Sequence, residues 1–131
     1  MFSVTDSLEI ACPPEKLFAF LTEQEKLMQW FAPQVITVPV EGTVAAFAFE
    51  YDLDFKMEII KLVEGERVEW ECVDGYGDWL GSKVSFVLKK NAEGSVLEFE
   101  HTGLKNDAKK EKTTQSWGEY LKKLKNICEN R

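Results

Sequence analysis

The middle of the chain, from Gln34 to Gly103, alternates apolar and polar residues with a period of two. In one example Val68, Trp70 and Cys72 alternate with glutamates. Glycine-bearing segments that are typical of turns interrupt this alternation, at residues 41–42, 64–66, 74–78 and 91–94. Strands joined by short turns pair antiparallel, and the alternation gives such a sheet one apolar face and one wet face. The apolar face requires a covering element from elsewhere in the chain.

The two flanks of this region supply helices. The first ten residues predict a strand that stops at Cys12-Pro13-Pro14, and short helices follow between Pro14 and Phe31, where Thr22 and Glu25 have the spacing of a capping box. After Gly103 the apolar residues return to helical spacing, which predicts a final helix of roughly twenty residues. The expected order is therefore one strand, short helices, a run of about six strands and a long helix, in a single α+β domain over residues 1–131.

Several segments resemble a known superfamily. They are Ile10–Phe18, Glu25–Phe31, Glu100–Leu104 and Ser116–Leu121. Together they are similar to the START-like helix-grip superfamily, in the branch that contains the C-terminal domain of the activator of the ninety-kilodalton heat-shock protein ATPase. The resemblance implies a curved antiparallel sheet of about seven strands wrapped on the C-terminal helix, with a cavity between them. Its members include lipid carriers, hormone receptors, polyketide cyclases and chaperone regulators, so the fold does not select one function.

Charge and composition restrict the partners. Lys and Arg total 16 against 23 Asp and Glu, a formal charge of -7, which argues against binding to nucleic acid or to anionic membranes. No stretch is apolar enough to insert into a membrane, and no signal peptide is recognisable, so we expect a cytoplasmic protein. The cysteines, Cys12, Cys72 and Cys128, are far apart, and we expect neither a disulfide nor a zinc site.

The inward faces of the strands and of the last helix hold the candidate ligand-binding residues. His101 is the only histidine and is suited to bind a ligand group or to act as a base, although the ring of a strand-end histidine more often bonds a nearby backbone group. Gly118 lies mid-helix, which suggests a notch for close approach of a ligand or of the sheet, although a tolerated kink or a simple packing contact explains it better. Alternatively, these side chains simply fill the space. The candidate set is Trp70, Phe86, Phe99, His101, Trp117, Gly118 and Tyr120, with Phe55 and Met57 as further inward residues.

Further candidates lie in connecting segments. Tyr76 and Trp79 suit a rim over a cavity mouth. A basic patch at Lys105, Lys109, Lys110 and Lys112 is able to dock an acidic partner or an anionic head group, or is an ordinary solvated surface. Asp52 and Asp54 form a D-x-D pattern, but acidic turn residues explain it better, so we expect no metal and no cofactor.

These observations favour binding of a small hydrophobic or amphipathic molecule between the sheet and the final helix. The alternative is a protein-interaction module, a homodimer or a chaperone partner, that uses an exposed patch near Trp30-Phe31 or Tyr76-Trp79. An enzyme of the cyclase or hydratase type that uses His101 or an inward carboxylate is the less favoured hypothesis, because no nucleophile–base pair, metal triad or cofactor motif supports it. We therefore assign no catalytic residue.

Overall fold

The computed structural model describes residues 1–49, 54–75 and 77–130, which form a curved sheet and three α-helices. The sheet has seven antiparallel strands in the spatial order β1-β7-β6-β5-β4-β3-β2. The α+β helix-grip fold and the predicted order of elements are confirmed. The elements in chain order are β1 (Phe2–Ile10), α1 (Pro14–Thr22), α2 (Gln24–Trp30), β2 (Gln34–Ile36), β3 (Val44–Ala48), β4 (Asp54–Val63), β5 (Arg67–Gly75), β6 (Lys83–Asn91), β7 (Gly94–Leu104), a 3-10 helix (Asp107–Lys109) and α3 (Lys110–Glu129).

Local sequence explains most of the element boundaries. In β5 the side chains of Val68, Trp70 and Cys72 are buried, as the alternation predicts. Helix α1 begins at Pro14, whose missing N–H costs nothing at a helix start. The predicted capping box is wrong, because Glu23 precedes the first residue of α2 and the Thr22 hydroxyl donates instead to the Phe18 carbonyl at 2.9 Å.

The C-terminal end of α3 is fastened to the region after β1. Cys128 forms a disulfide with Cys12, so the expectation of unpaired cysteines is wrong for these two, whereas Cys72 is free and buried. The residues are 116 positions apart in sequence, and only the packing of α3 across the sheet brings them together. The Glu129 carboxylate also accepts hydrogen bonds from the Lys125 ammonium and the Ala11 N–H, and the Lys125 bond is the main reason that the pKa of Glu129 is lowered.

Aromatic side chains fill most of the space between sheet and helices. Phe31, at the end of α2, is only 3% exposed and is in ring contact with seven other aromatic side chains. Trp30 is 1% exposed, and its Nε1–H donates to the Phe20 carbonyl at 2.8 Å. The prediction of an exposed partner patch at Trp30-Phe31 is therefore wrong, because this segment turns inward at the end of α2 and belongs to the core.

We predict that Phe31→Ala destabilises the protein by about 3–5 kcal/mol, because it leaves a cavity at the point where β3, β4, β5 and α3 converge. Urea unfolding followed by circular dichroism measures this free energy. Met28→Ala on the same helix is the control, since Met28 is 42% exposed, and we expect it to cost less than about 1 kcal/mol. Equal effects of the two substitutions contradict the central position of Phe31.

Candidate functional site

His101 on β7 makes two buried side-chain hydrogen bonds, one to α3 and one to Ser82, which directly precedes β6. The Trp117 Nε1–H donates to His101 Nδ1 at 3.0 Å, and His101 Nε2 lies 2.8 Å from the Ser82 Oγ. His101 and Ser82 are both completely buried, and Trp117 is 1% exposed. This chain of hydrogen bonds, which we call the Trp117–His101–Ser82 bridge, fixes the middle of α3 against the sheet.

The bridge determines the state of the imidazole. An indole nitrogen is only a donor, so Nδ1 carries no proton and the neutral ring donates from Nε2 to Ser82. Burial lowers the pKa of His101 from 6.5 to about 3, because the charged form would be poorly solvated there. Both ring nitrogens are hydrogen-bonded to side chains, so the expected bond to a nearby backbone group is wrong. These two bonds support a positioning role for His101 over a general base.

The pKa of His101 predicts a pH dependence of stability. Between pH 6.5 and about 3 the unfolded chain binds a proton that the folded protein does not, so stability falls as the pH is lowered through this window. We expect the wild type to lose about 2 kcal/mol more than His101→Gln between pH 7.5 and 5.0. Glutamine keeps a donor and an acceptor but does not titrate. Urea unfolding at both pH values measures the difference, and parallel pH profiles for the two proteins contradict the assignment.

Most of the predicted ligand-binding residues form the filled core. Trp70, Phe86, Phe99 and Trp117 are each at most 2% exposed, and Phe86 contacts the other three aromatic rings. The alternative that the aromatic side chains fill this space therefore describes these four. Met57 is also fully buried, whereas Phe55 borders a cavity.

Gly118 occupies a different environment from the one predicted. It lies on an exposed part of α3, and nothing approaches within 4 Å of the position that a Cβ atom would take. The predicted close approach of the sheet to Gly118 is wrong, because the glycine faces away from the side of α3 that Trp117 and Leu121 bury.

A cavity of about 200 Å³ remains where α3 begins. Its apolar wall comes from β1, β4, the end of β7 and the β5–β6 connection, and its polar wall comes from α3 and the segment before it. Of the predicted ligand set only Tyr120 lines it, together with the predicted inward residue Phe55. We call this space the α3 cavity. The residues that line it are Phe2, Phe49, Phe55, Asp78, Trp79, Leu104, Lys105, Lys109, Lys112, Thr113, Ser116 and Tyr120.

Some signals for the α3 cavity were present in the sequence. Trp79 lies in its wall, in T-shaped contact with His101 and stacked on Trp117, while Tyr76 lies outside the described residues. Three lysines of the basic patch line the cavity as well. Phe2, Phe49, Leu104, Thr113 and Ser116 were missed, because periodicity shows which face a residue is on and not whether that face meets a cavity.

One ion pair crosses the polar side of the cavity. Lys109 Nζ lies 2.9 Å from the Asp78 carboxylate, and the Lys105 N–H donates to the Asp78 carbonyl at 3.2 Å. These contacts connect the segment before α3 to the β5–β6 connection. The mouth is therefore built from two separate parts of the chain that approach each other at Asp78.

Within residues 1–49, 54–75 and 77–130, no group of His, Cys, Asp and Glu is arranged to hold a metal ion. Asp52 of the D-x-D pattern lies outside the described residues. Burial raises the pKa of the free Cys72 thiol.

Among the described helices, none has both the length and the apolar character needed to span a membrane.

The comparisons with known proteins fix the family. The family model described as activator of Hsp90 ATPase homolog 1-like protein matches residues 11–129. The chain belongs to this family. No functionally curated protein matches the sequence of this AHSA1-like chain.

Solved structures agree with the AHSA1-like fold. An Aha1 dimer from Colwellia psychrerythraea has a TM-score of 0.89 at 22% identity, over 98% of this chain and 97% of that one. A protein from Mesorhizobium loti has a TM-score of 0.84 at 21% identity, over 96% of each chain. An AHSA1-like protein from Aeromonas hydrophila has a TM-score of 0.74 at 13% identity, over 95% of this chain and 90% of that one. At these identities the likeness concerns the fold.

Proposed function

We propose that the chain binds a small amphipathic molecule in the α3 cavity. The observation that carries the proposal is the cavity itself, an opening of about 200 Å³ with one apolar and one polar wall, beside a core of buried aromatic rings. Ligand sites for drug-sized molecules have volumes of roughly 300–1,000 Å³. The ligand is therefore smaller than these, or only its apolar part enters.

Residues of the two walls contribute to ligand binding in different ways. Phe2, Phe55 and Leu104 are buried or nearly so and offer apolar contact, which supplies affinity by removing ligand surface from water. Thr113, Ser116 and Tyr120 line the opposite side, and we assign to these hydroxyl-bearing residues the orientation of the polar end of the ligand. This reading assigns carriage or sensing of a ligand and assigns no reaction.

Ser116→Trp tests the proposal by filling the cavity. The probe is 2-naphthamide, an uncharged aromatic molecule, titrated into isotopically labelled protein while amide NMR shifts are recorded. For the wild type we expect saturable shifts at Phe2, Leu104 and Ser116, and for Ser116→Trp a loss of affinity of at least about tenfold. Gln115→Trp is the control, because it adds the same side chain at the neighbouring exposed position of α3. Unchanged binding by Ser116→Trp, or absence of binding by the wild type, contradicts the proposal.

Self-association through the edge strand β2 is the second candidate function. Residues 27–40 contain no charged side chain, and Ile36, Val38 and Val40 are 73%, 52% and 53% exposed. Edge strands are usually protected by charges or by covering groups. The other edge, β1, has this protection, since it contains Asp6 and Glu9 and the Lys125 ammonium donates to the Glu9 carbonyl at 2.7 Å.

A second copy fits the β2 edge, because an antiparallel strand pair is its own complement across a twofold axis. The uncharged segment also lets two chains, each of net charge -7, approach without local repulsion. The Colwellia psychrerythraea structure is a dimer, which supports this candidate for a chain of the same fold. A chaperone-regulating role stays a prediction that follows from the family description alone.

Sedimentation velocity tests the second candidate. We expect the wild type to form dimers at about 100 μM and Ile36→Lys to weaken the dimer by at least about tenfold, because a desolvated ammonium opposes strand pairing. Thr5→Lys on the β1 edge is the control, since it adds the same charge at an exposed strand position. A wild type that stays monomeric, or an equal effect of both substitutions, contradicts dimerisation through β2.

A further inference from the structure

We infer that the ligand of the α3 cavity has a negatively charged group, a carboxylate or a sulfonate, that Lys105 and Lys112 bind at the mouth. This inference rests on the proposed function and adds the chemical class of the ligand. Three lysines line one cavity in a chain whose formal charge is -7. A local excess of positive charge on an acidic protein attracts anions to that place and leaves the rest of the surface repulsive to them.

Among the residues that the structure describes, two cations at the mouth have no ion-pair partner. Asp78 is the one carboxylate among the described lining residues, and Lys109 neutralises it at 2.9 Å. The nearby Asp107 is paired with the terminal ammonium of Met1 at 3.0 Å. Lys105 and Lys112 make no ion pair with any part of the chain that the structure describes. Within the described part of the chain, two positive charges therefore remain for a ligand.

The positions of Lys105 and Lys112 determine how the ligand is oriented in the cavity. Lys105 follows the end of β7 directly after the buried Leu104, and Lys112 lies in the first turn of α3. An apolar group in contact with Leu104 would place an attached anion beside Lys105. The beginning of α3 has no side-chain cap, and the positive end of a helix dipole adds to the attraction for an anion.

Hydrogen-bond donors next to the lysines favour an oxyanion. Thr113 and Ser116 follow Lys112 on the side of α3 that faces the cavity. Hydroxyl donors and lysine ammonium groups bind the oxygens of a carboxylate or sulfonate without requiring one fixed geometry. A neutral amide of the same shape as the anion makes the same apolar contacts but is not attracted by the lysine charges. Comparing the affinities of the anion and the amide therefore isolates the contribution of charge.

The test compares 2-naphthoate with 2-naphthamide, two probes of nearly the same shape that differ in charge. We expect the naphthoate to bind wild-type protein about tenfold more tightly at low salt, and added salt to reduce this preference. The double variant Lys105→Gln/Lys112→Gln is expected to lose the preference and to keep its affinity for 2-naphthamide, which also shows that the variant is folded.

Lys122→Gln/Lys123→Gln is the matched control, because it removes the same charge from an exposed part of α3 away from the cavity. We expect it to keep the preference for the naphthoate. Equal affinity of the wild type for both probes overturns the inference and leaves the proposed function standing, whereas binding of neither probe overturns both. Loss of the preference in the control variant as well shows a general charge effect and also overturns the inference.

Discussion

The Trp117–His101–Ser82 bridge is the interaction on which the rest of the structure depends. Buried polar groups are costly unless they are paired, and here an indole donor, a neutral imidazole and a hydroxyl are hydrogen-bonded to one another. The bridge specifies one register of α3 on β7, because a shift of the helix by one turn would leave a nitrogen of His101 unpaired. Hydrophobic packing alone is non-directional and would permit several such registers.

The two ends of α3 differ in how closely they pack against the rest of the protein. At the C-terminal end the Cys12–Cys128 disulfide and the Glu129 carboxylate hold the helix against the chain after β1. In the middle, the bridge and the rings around Phe31 leave no room for a ligand. At the beginning of α3, the space between the helix and the rings of Phe49, Phe55 and Trp79 is the α3 cavity. The cavity therefore lies where the close packing of side chains against α3 ends.

The sequence predicted the fold because the signals for it are local and redundant. Alternation in β5, the proline at the start of α1 and the helical spacing of Trp117, Leu121 and Leu124 each specify one element, and the antiparallel order follows from short turns. The disulfide was not predictable in this way, since it depends on how distant elements pack. For the same reason the pattern in 27–31 gave no indication that Trp30 and Phe31 turn inward.

The candidate site was predicted less well for a physical reason. Periodicity assigns a side chain to the inner face of the sheet, but a filled core and a cavity use the same apolar residues on that face. Trp70, Phe86 and Phe99 are in the filled part, while Phe2 and Leu104 border the cavity, and nothing in their local sequence separates the two groups. The more informative signals were in the connections, where Trp79 and the basic patch do reach the cavity.

The central claim is that a small molecule enters the protein beside the beginning of α3 and not through the middle of the grip. Intermolecular nuclear Overhauser effects between 2-naphthoate and the protein test it most directly. The account predicts effects from the naphthalene protons to Phe2, Phe55, Trp79 and Leu104. Effects to the buried Trp70 and Phe86 instead, or no intermolecular effects at saturating probe, would contradict it.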